Sequence, residues 1–174
     1  AKRTHQGVTD ESAWARGQAW ALYGYAMCFE NTRNPAFLTQ AEQVAKFIMN
    51  HPRMPKDKVP VWDFDVHNAL DTEEKAPRDA SAAAIMASAL LNLSTQVKDG
   101  QKYFNYAEEM LQSLSSDNYL AKVGENNFFI LKHSVGAFLY NSEIDTPLDC
   151  ADYYYLEALK RYVAIKGQNK PTMK

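Results

Sequence analysis

Apolar residues recur at three- and four-residue steps in five stretches of the chain, a spacing typical of amphipathic α-helices. The predicted helices cover residues 10–30, 35–50, 79–96, 101–115 and 149–165. Apolar side chains almost surround the first helix, which predicts an inner, largely buried position. The second helix is polar on one half and is predicted to lie outside. The pattern therefore indicates an all-α fold built from helical hairpins.

Three of these helices are predicted to begin at an aspartate, and the aspartates follow one another at steps of 69 and 70 residues: Asp10, Asp79 and Asp149. A return helix and a long loop separate successive openings, and residues 51–78, with four prolines, form the first such loop. Residues 127–131 are predicted to pair as a short strand. This periodicity indicates a helical-hairpin repeat. Because the fifth helix has no partner, we expect the natural protein to extend beyond Ala1.

Composition narrows the classes of function. The 174 residues suffice for one domain, and 19 basic against 21 acidic residues give a net charge of −2. We therefore expect no nucleic-acid partner, and no membrane partner because the longest apolar run is about half of what a bilayer requires. Four histidines without metal-ligand spacing and the lack of a phosphate-binding loop predict neither metal nor cofactor. Two cysteines leave periplasm and cytoplasm equally open.

The densest candidate chemistry lies at the start of the first predicted helix. His5 and Gln6 precede the helix, and Arg16 and Trp20 are four residues apart, so that they share one helix face. A guanidinium beside an indole, close to a helix N-terminus, suits a carboxylate-bearing sugar ring. The alternative is that Trp20 belongs to the core and Arg16 pairs internally.

Two further groups of polar residues are candidates for chemistry. Asp63 and Asp65 are two apart, and in an extended segment both carboxylates point the same way, as an acid/base pair would require. Aspartates in turns and helix caps are the commoner explanation. His133 and Ser134 follow the predicted strand, but no Ser-His-Asp arrangement can be defined around them.

Four blocks of sequence carry a resemblance to a known family. The first block, formed by segments 5–7 and 14–20 together, resembles the signature of family 88 glycoside hydrolases, the unsaturated glucuronyl hydrolases. The other three blocks, residues 61–65, 77–85 and 152–159, agree with the family in order and distance. The unsaturated rhamnogalacturonyl hydrolases are also similar, although they usually have Asn where this chain has Gln18. The segment 140–150 departs from the longer, glycine-rich stretch common in the family.

The resemblance implies a fold and an activity. The fold would be an (α/α)6 barrel of the six-hairpin type, of which residues 1–174 would form one C-terminal segment with about five helices. The implied partner is an oligosaccharide from which the enzyme removes a 4,5-unsaturated uronic acid by hydration of a vinyl ether. Two alternatives stay open: the rhamnogalacturonyl activity, and a non-catalytic helical-repeat binding module.

The resemblance also implies roles for individual residues. Gln6, Arg16 and Trp20 would bind the substrate, with His5 adjacent to them and His133 in a late loop that resembles a pocket-wall segment. The catalytic aspartates of the family match no position here, so we expect residues 1–174 alone to be inactive. Apolar faces meant for missing hairpins predict self-association of the isolated chain.

Overall fold

The computed structural model describes residues 3–66 and 76–168 and contains five α-helices and one antiparallel pair of strands. The helices are α1 (Ala15–Thr32), α2 (Pro35–Met49), α3 (Ala80–Ser94), α4 (Gln101–Leu114) and α5 (Asp149–Gln168). The strands are β1 (Ser134–Ala137) and β2 (Ser142–Thr146), joined by a 3₁₀ turn. The prediction of five helices is therefore confirmed. None of the helices in the described ranges is long and apolar enough to cross a bilayer.

Helix α3 is the centre of the fold. It packs against α1, α4 and α5, and all its residues from Ala80 to Leu93 are buried. Helix α1 buries only one stripe, and its other faces remain accessible. The expectation that α1 is largely buried is thus wrong for this structure: α3, apolar on every face, takes that place because three helices surround it.

The three helices α1, α3 and α5 run parallel. At one end Arg16 of α1 contacts the start of α3 at Asp79, and near the other end Glu30 of α1 accepts a hydrogen bond from Asn92 of α3. Helix α5 follows the same direction as α1, because Trp20 meets Tyr154, Tyr23 meets Glu157 and Met27 meets Arg161 in turn. The amino-terminal ends of the three helices therefore lie at one end of the molecule, together with the β1–β2 hairpin.

Helix α1 begins five residues later than predicted. The carboxylate of Asp63 accepts from the Val8 N–H at 2.9 Å and from the Ser12 hydroxyl at 2.8 Å, and Asp65 accepts from the Ala13 N–H at 2.9 Å. These contacts fix the segment before α1 as a loop. Asp10 consequently does not open a helix, whereas Asp79 caps α3 and Asp149 is the first residue of α5.

The predicted strand at residues 127–131 is wrong. A 3₁₀ turn covers Asn126–Phe128, and the Asp152 carboxylate accepts from the N–H groups of Ile130 and Leu131, both at 2.8 Å. Because a carboxylate takes these donors, pairing is limited to a single antiparallel bridge between Leu131 and Leu120. Residues 67–75 of the predicted long loop lie outside the described residues.

Candidate functional site

The guanidinium of Arg16 lies where the start of α1, the start of α3 and strand β1 meet. Its Nη1 donates to the Asp79 carboxylate at 3.4 Å, to the Ser81 hydroxyl at 3.1 Å and to the Val135 carbonyl, and its Nη2 donates to the Gly136 carbonyl at 2.6 Å. The residue is only 7% exposed. Four acceptors from two elements therefore fix one side of the guanidinium.

Asp79 divides its two carboxylate oxygens between two tasks. Oδ1 caps α3 by accepting from the N–H groups of Ser81 and Ala82 at 3.1 and 3.3 Å, whereas Oδ2 faces Arg16. Burial raises the pKa of the Asp79 carboxyl above its ordinary value, against the opposing effects of Arg16 and of the donors around it. Removal of the guanidinium would leave this buried acid without its charged partner.

The expected open clamp of Arg16 and Trp20 is not formed. The ring beside the guanidinium is Trp14, with its centroid 5.0 Å from Cζ, and Nη1 is occupied by protein acceptors. Among the described residues, however, no acceptor faces Nε or the second hydrogen of Nη2. An arginine presents five donors, and its Nε–Nη2 edge can hold a carboxylate with two hydrogen bonds. The predicted role of Arg16 in binding therefore stays a prediction, restricted to this edge.

Trp20 lies one turn further along α1 in an aromatic cluster. Its ring meets Tyr154 of α5 edge-on at a centroid distance of 5.1 Å and Tyr23 at 6.4 Å. Trp20 is 37% exposed, so part of the indole remains available as a flat apolar surface. Burial and the neighbouring Glu157, which accepts from the Tyr23 hydroxyl at 3.1 Å, raise the pKa of Tyr23 to about 12.

His5 and Gln6 belong to the loop before α1. The Thr4 hydroxyl accepts from the N–H groups of Gln6 and Gly7 at 3.3 and 2.8 Å and fixes their backbone. His5 is exposed and Gln6 half-buried. Within residues 3–66 and 76–168, no hydrogen bond involves either side chain.

His133 lies in a cavity of about 590 Å³ on the other side of β1. Its Nδ1 is 2.6 Å from the Asp145 carboxylate, its ring meets Tyr119 edge-on, and its carbonyl accepts from the N–H of Ala80. The backbone of His133 is left-handed, with φ 63°, a conformation uncommon outside glycine. The cavity is lined by Ala76, Pro77, Arg78, Asn118, Tyr119, His133, Phe138, Ile144 and Asp145. Arg16 is not among these lining residues, although it donates to the carbonyl of Val135, two residues along the chain from His133.

The aspartates of the 61–65 segment are structural. Asp63 is fully buried and accepts from Val8, Ser12 and the N–H of Asp65, whose own carboxylate holds Arg53 at 2.8 Å. These hydrogen bonds hold the loop before α1 and the 61–65 segment together, which fits the turn-and-cap alternative. No cluster of three or more metal-binding side chains occurs in the part of the chain that the structure describes.

Comparisons with known proteins give this geometry its context. No family model matches the chain. An unsaturated glucuronyl hydrolase from Formosa agariphila is 51% identical over 160 residues, which are 92% of this chain and 39% of that protein. The crystal structure of an unsaturated glucuronyl hydrolase specific for heparin is 69% identical, with a TM-score of 0.92 over 96% of this chain and 44% of that one. The chain belongs to the unsaturated glucuronyl hydrolase family.

This family member spans about two fifths of the length of its relatives. A more distant relative, a mutant unsaturated glucuronyl hydrolase from Streptococcus agalactiae, is 31% identical with a TM-score of 0.80 over 91% of this chain and 41% of that one. Its structure is complexed with dGlcA-GalNAc6S.

Sequence reasoning missed two features of the unsaturated glucuronyl hydrolase segment. The spacing predicts Asp79 as the start of a helix and does not predict that its second oxygen faces Arg16, although a buried arginine requires an anionic partner. The contact between Tyr154 and Trp20 depends on how α5 packs against α1, which periodicity does not specify. The run of three tyrosines at 153–155 was the available signal, since tyrosines often line sugar-binding surfaces with an apolar ring and a polar end.

Proposed function

We propose that the protein is a glycoside hydrolase that removes a 4,5-unsaturated uronic acid from the non-reducing end of oligosaccharides produced by polysaccharide lyases. The single observation that carries this proposal is the similarity to the heparin-specific unsaturated glucuronyl hydrolase over 96% of the chain. The reaction is the hydration of the vinyl ether, in which an acid protonates C4, water adds at C5, and the resulting hemiketal opens and releases the remaining sugar.

Within this proposal the five helices are part of an (α/α)6 barrel, and residues 1–174 are one segment from its C-terminal portion. The parallel course of α1, α3 and α5 supports an inner ring, and α2 and α4, which pack outside α1 and α3, support an outer one. The substrate would enter at the end where α1, α3 and α5 begin. The described carboxylates nearest to that entrance are held by protein donors, so this segment supplies substrate binding rather than the acid.

Each predicted residue has a distinct part in binding. The Nε–Nη2 edge of Arg16 would hold the uronate carboxylate, and the indole of Trp20 would lie against the ring of the sugar. Gln6 and His5, whose side chains have no protein partner in the described ranges, would contact the unsaturated ring from the loop. His133, in its separate cavity, would contact the sugars beyond the scissile bond.

The test replaces Arg16 in the full-length protein and measures turnover of unsaturated disaccharides by the loss of their ultraviolet absorbance. Because a charge-assisted, two-point hydrogen bond contributes about 1.5–3 kcal/mol, we expect Arg16→Ala to raise KM by roughly 10- to 100-fold. Arg33→Asn removes a guanidinium from the opposite end of α1, where the backbone is left-handed and asparagine is tolerated, and should leave KM unchanged.

Two results would contradict the proposal: no turnover of any glucuronyl disaccharide by the full-length protein, or an Arg16→Ala variant with the KM of the unaltered protein. Preference for an unsaturated rhamnogalacturonyl disaccharide would reassign the leaving sugar. A glycan-binding protein without turnover would favour the non-catalytic module. Residues 1–174 alone should be inactive in the same assay.

A further inference from the structure

We propose that Asp79 is a positioning residue for substrate recognition: with Ser81, it holds Arg16 so that the Nε–Nη2 edge of the guanidinium faces the substrate carboxylate. This inference rests on the proposed function. Asp79 itself is fully buried and is not expected to touch the substrate.

The contacts determine the orientation of the guanidinium. Because this group is planar and is held through Nη1 and one hydrogen of Nη2, its Nε–Nη2 edge is the one left without a protein acceptor among the described residues. Asp79 Oδ2, the Ser81 hydroxyl and the Val135 carbonyl all accept from Nη1. The Gly136 carbonyl takes one hydrogen of Nη2. The two donors left over, on Nε and Nη2, are the adjacent pair that matches the two oxygens of a carboxylate.

The acceptors of Arg16 are themselves fixed. Asp79 Oδ1 receives the N–H groups of Ser81 and Ala82 and the Ser81 hydroxyl, the last at 2.5 Å. The Val135 and Gly136 carbonyls belong to β1, so that this strand also holds the guanidinium. The guanidinium therefore cannot turn without breaking contacts to the α3 terminus and to β1 together.

The same geometry suggests a substitution that separates the two tasks of Asp79. Asn at a helix N-cap is as favourable as Asp, so Asp79→Asn retains an oxygen for the α3 cap. The second position then carries an NH₂ group that faces Nη1, donor against donor, and the negative charge is lost. A matched control is Asp152→Asn. It also replaces a carboxylate that accepts from backbone N–H groups, those of Ile130 and Leu131, but this carboxylate does not hold a guanidinium.

The experiment measures kcat and KM of the full-length protein for an unsaturated disaccharide and for its uronate methyl ester. If Asp79 acts by orienting Arg16 toward the carboxylate, Asp79→Asn lowers the acid-over-ester preference in kcat/KM by about tenfold or more, mainly through KM for the acid. Ser81→Ala should lower the same preference to a smaller extent. Asp152→Asn should leave the preference unchanged, even where it lowers stability.

A double-mutant cycle completes the test. In the Arg16→Ala background, Asp79→Asn should cause no further loss of preference, because the group through which it acts is gone. Equal losses on acid and ester, or additive losses in the double variant, would overturn the inference while leaving the proposed function intact. If the unaltered protein hydrolyses neither compound, the proposed function itself fails and the inference falls with it.

Discussion

Two buried tyrosine hydroxyls in this protein differ in whether they have a partner. The Tyr119 hydroxyl donates to the Asp57 carboxylate at 2.7 Å, whereas the Tyr106 hydroxyl has no hydrogen-bond partner among the described residues. The ring of Tyr106 nevertheless packs well, with Lys58 Nζ 5.0 Å from its centroid. The two positions therefore test what a buried hydroxyl contributes when its ring is kept.

Tyr106→Phe should change the free energy of unfolding by less than about 1 kcal/mol, and in the stabilising direction, because an unpaired polar group is removed from the interior. Tyr119→Phe should destabilise by about 1.5–3 kcal/mol, since it removes a hydrogen bond to a charged acceptor. Urea unfolding of the 174-residue chain, followed by circular dichroism, measures both. A large destabilisation by Tyr106→Phe would reveal a hydroxyl contact that the structure does not show.

The pH dependence of stability should separate the same variants. Burial, together with Glu109, raises the pKa of Tyr106 to about 12. The unfolded chain releases this proton near pH 10, so the unaltered protein loses stability as pH rises from about 10 to 12 and is unaffected below that window. The Tyr106→Phe variant should lose less stability over this pH range, because it lacks the hydroxyl that titrates. A pH-independent difference between the two proteins would contradict the raised pKa.

The sequence could predict the site only in part, because residue spacing determines which side chains share a helix face and nothing more. The four-residue step between Arg16 and Trp20 correctly places both on one face of α1, but it carries no information about partners distant in sequence. Asp79 and the carbonyls of Val135 and Gly136 lie 63 or more residues away, and they decide how the guanidinium is held. The family resemblance pointed to the candidate substrate-binding residues, and only the fold showed which hydrogen-bond donors of Arg16 have no protein acceptor among the described residues.

At the scale of elements, glycine marks the tight turn between α3 and α4. A Cβ on Gly100 would lie 1.8 Å from the carbonyl oxygen of Ser94, the last residue of α3. On Gly24, in the middle of α1, a Cβ would meet nothing within 4 Å. Neither glycine requires a left-handed backbone, so space alone distinguishes the two positions.

Gly100→Ala should therefore destabilise the chain by about 1–3 kcal/mol through overpacking against backbone. Gly24→Ala should stabilise it by about 0.5–1 kcal/mol, because alanine is the better helix former and has room. Thermal unfolding of the two variants beside the unaltered chain measures the difference. Shifts of the same sign in both would contradict the close approach of the α3 and α4 ends.

Helix number could be read from periodicity, but helix order and boundaries depended on distant contacts. The bounds of α2 agree with prediction within one residue, because Asn34 caps it locally and accepts from the Ala36 N–H at 3.0 Å. The start of α1 did not agree, because Asp63 and Asp65 bind the preceding segment from more than 50 residues away. Local signals determine a helix end only when its capping partners are local.

The whole molecule leaves apolar surface on α5 without a partner in the described structure. Tyr153, Leu156 and Val163 are 61%, 52% and 67% exposed, and their spacing places them on one face of the helix. Relatives of this chain are more than twice as long, and in the proposed barrel this face would meet a neighbouring hairpin. Contiguous apolar surface of this kind promotes association.

We therefore expect the 174-residue chain to self-associate through α5, with an average mass that rises with concentration in sedimentation equilibrium. Replacing Leu156 and Val163 with glutamate places two charges on the contact face and should yield a monomer of unchanged helical content. Val123→Glu, at a fully exposed position in the loop between α4 and β1, adds a charge elsewhere and should leave association unaltered. If Val123→Glu dissociated the chain to the same extent, general charge repulsion would explain the effect. If the unaltered chain stayed monomeric at all concentrations, the expectation that the apolar face of α5 drives association would be wrong.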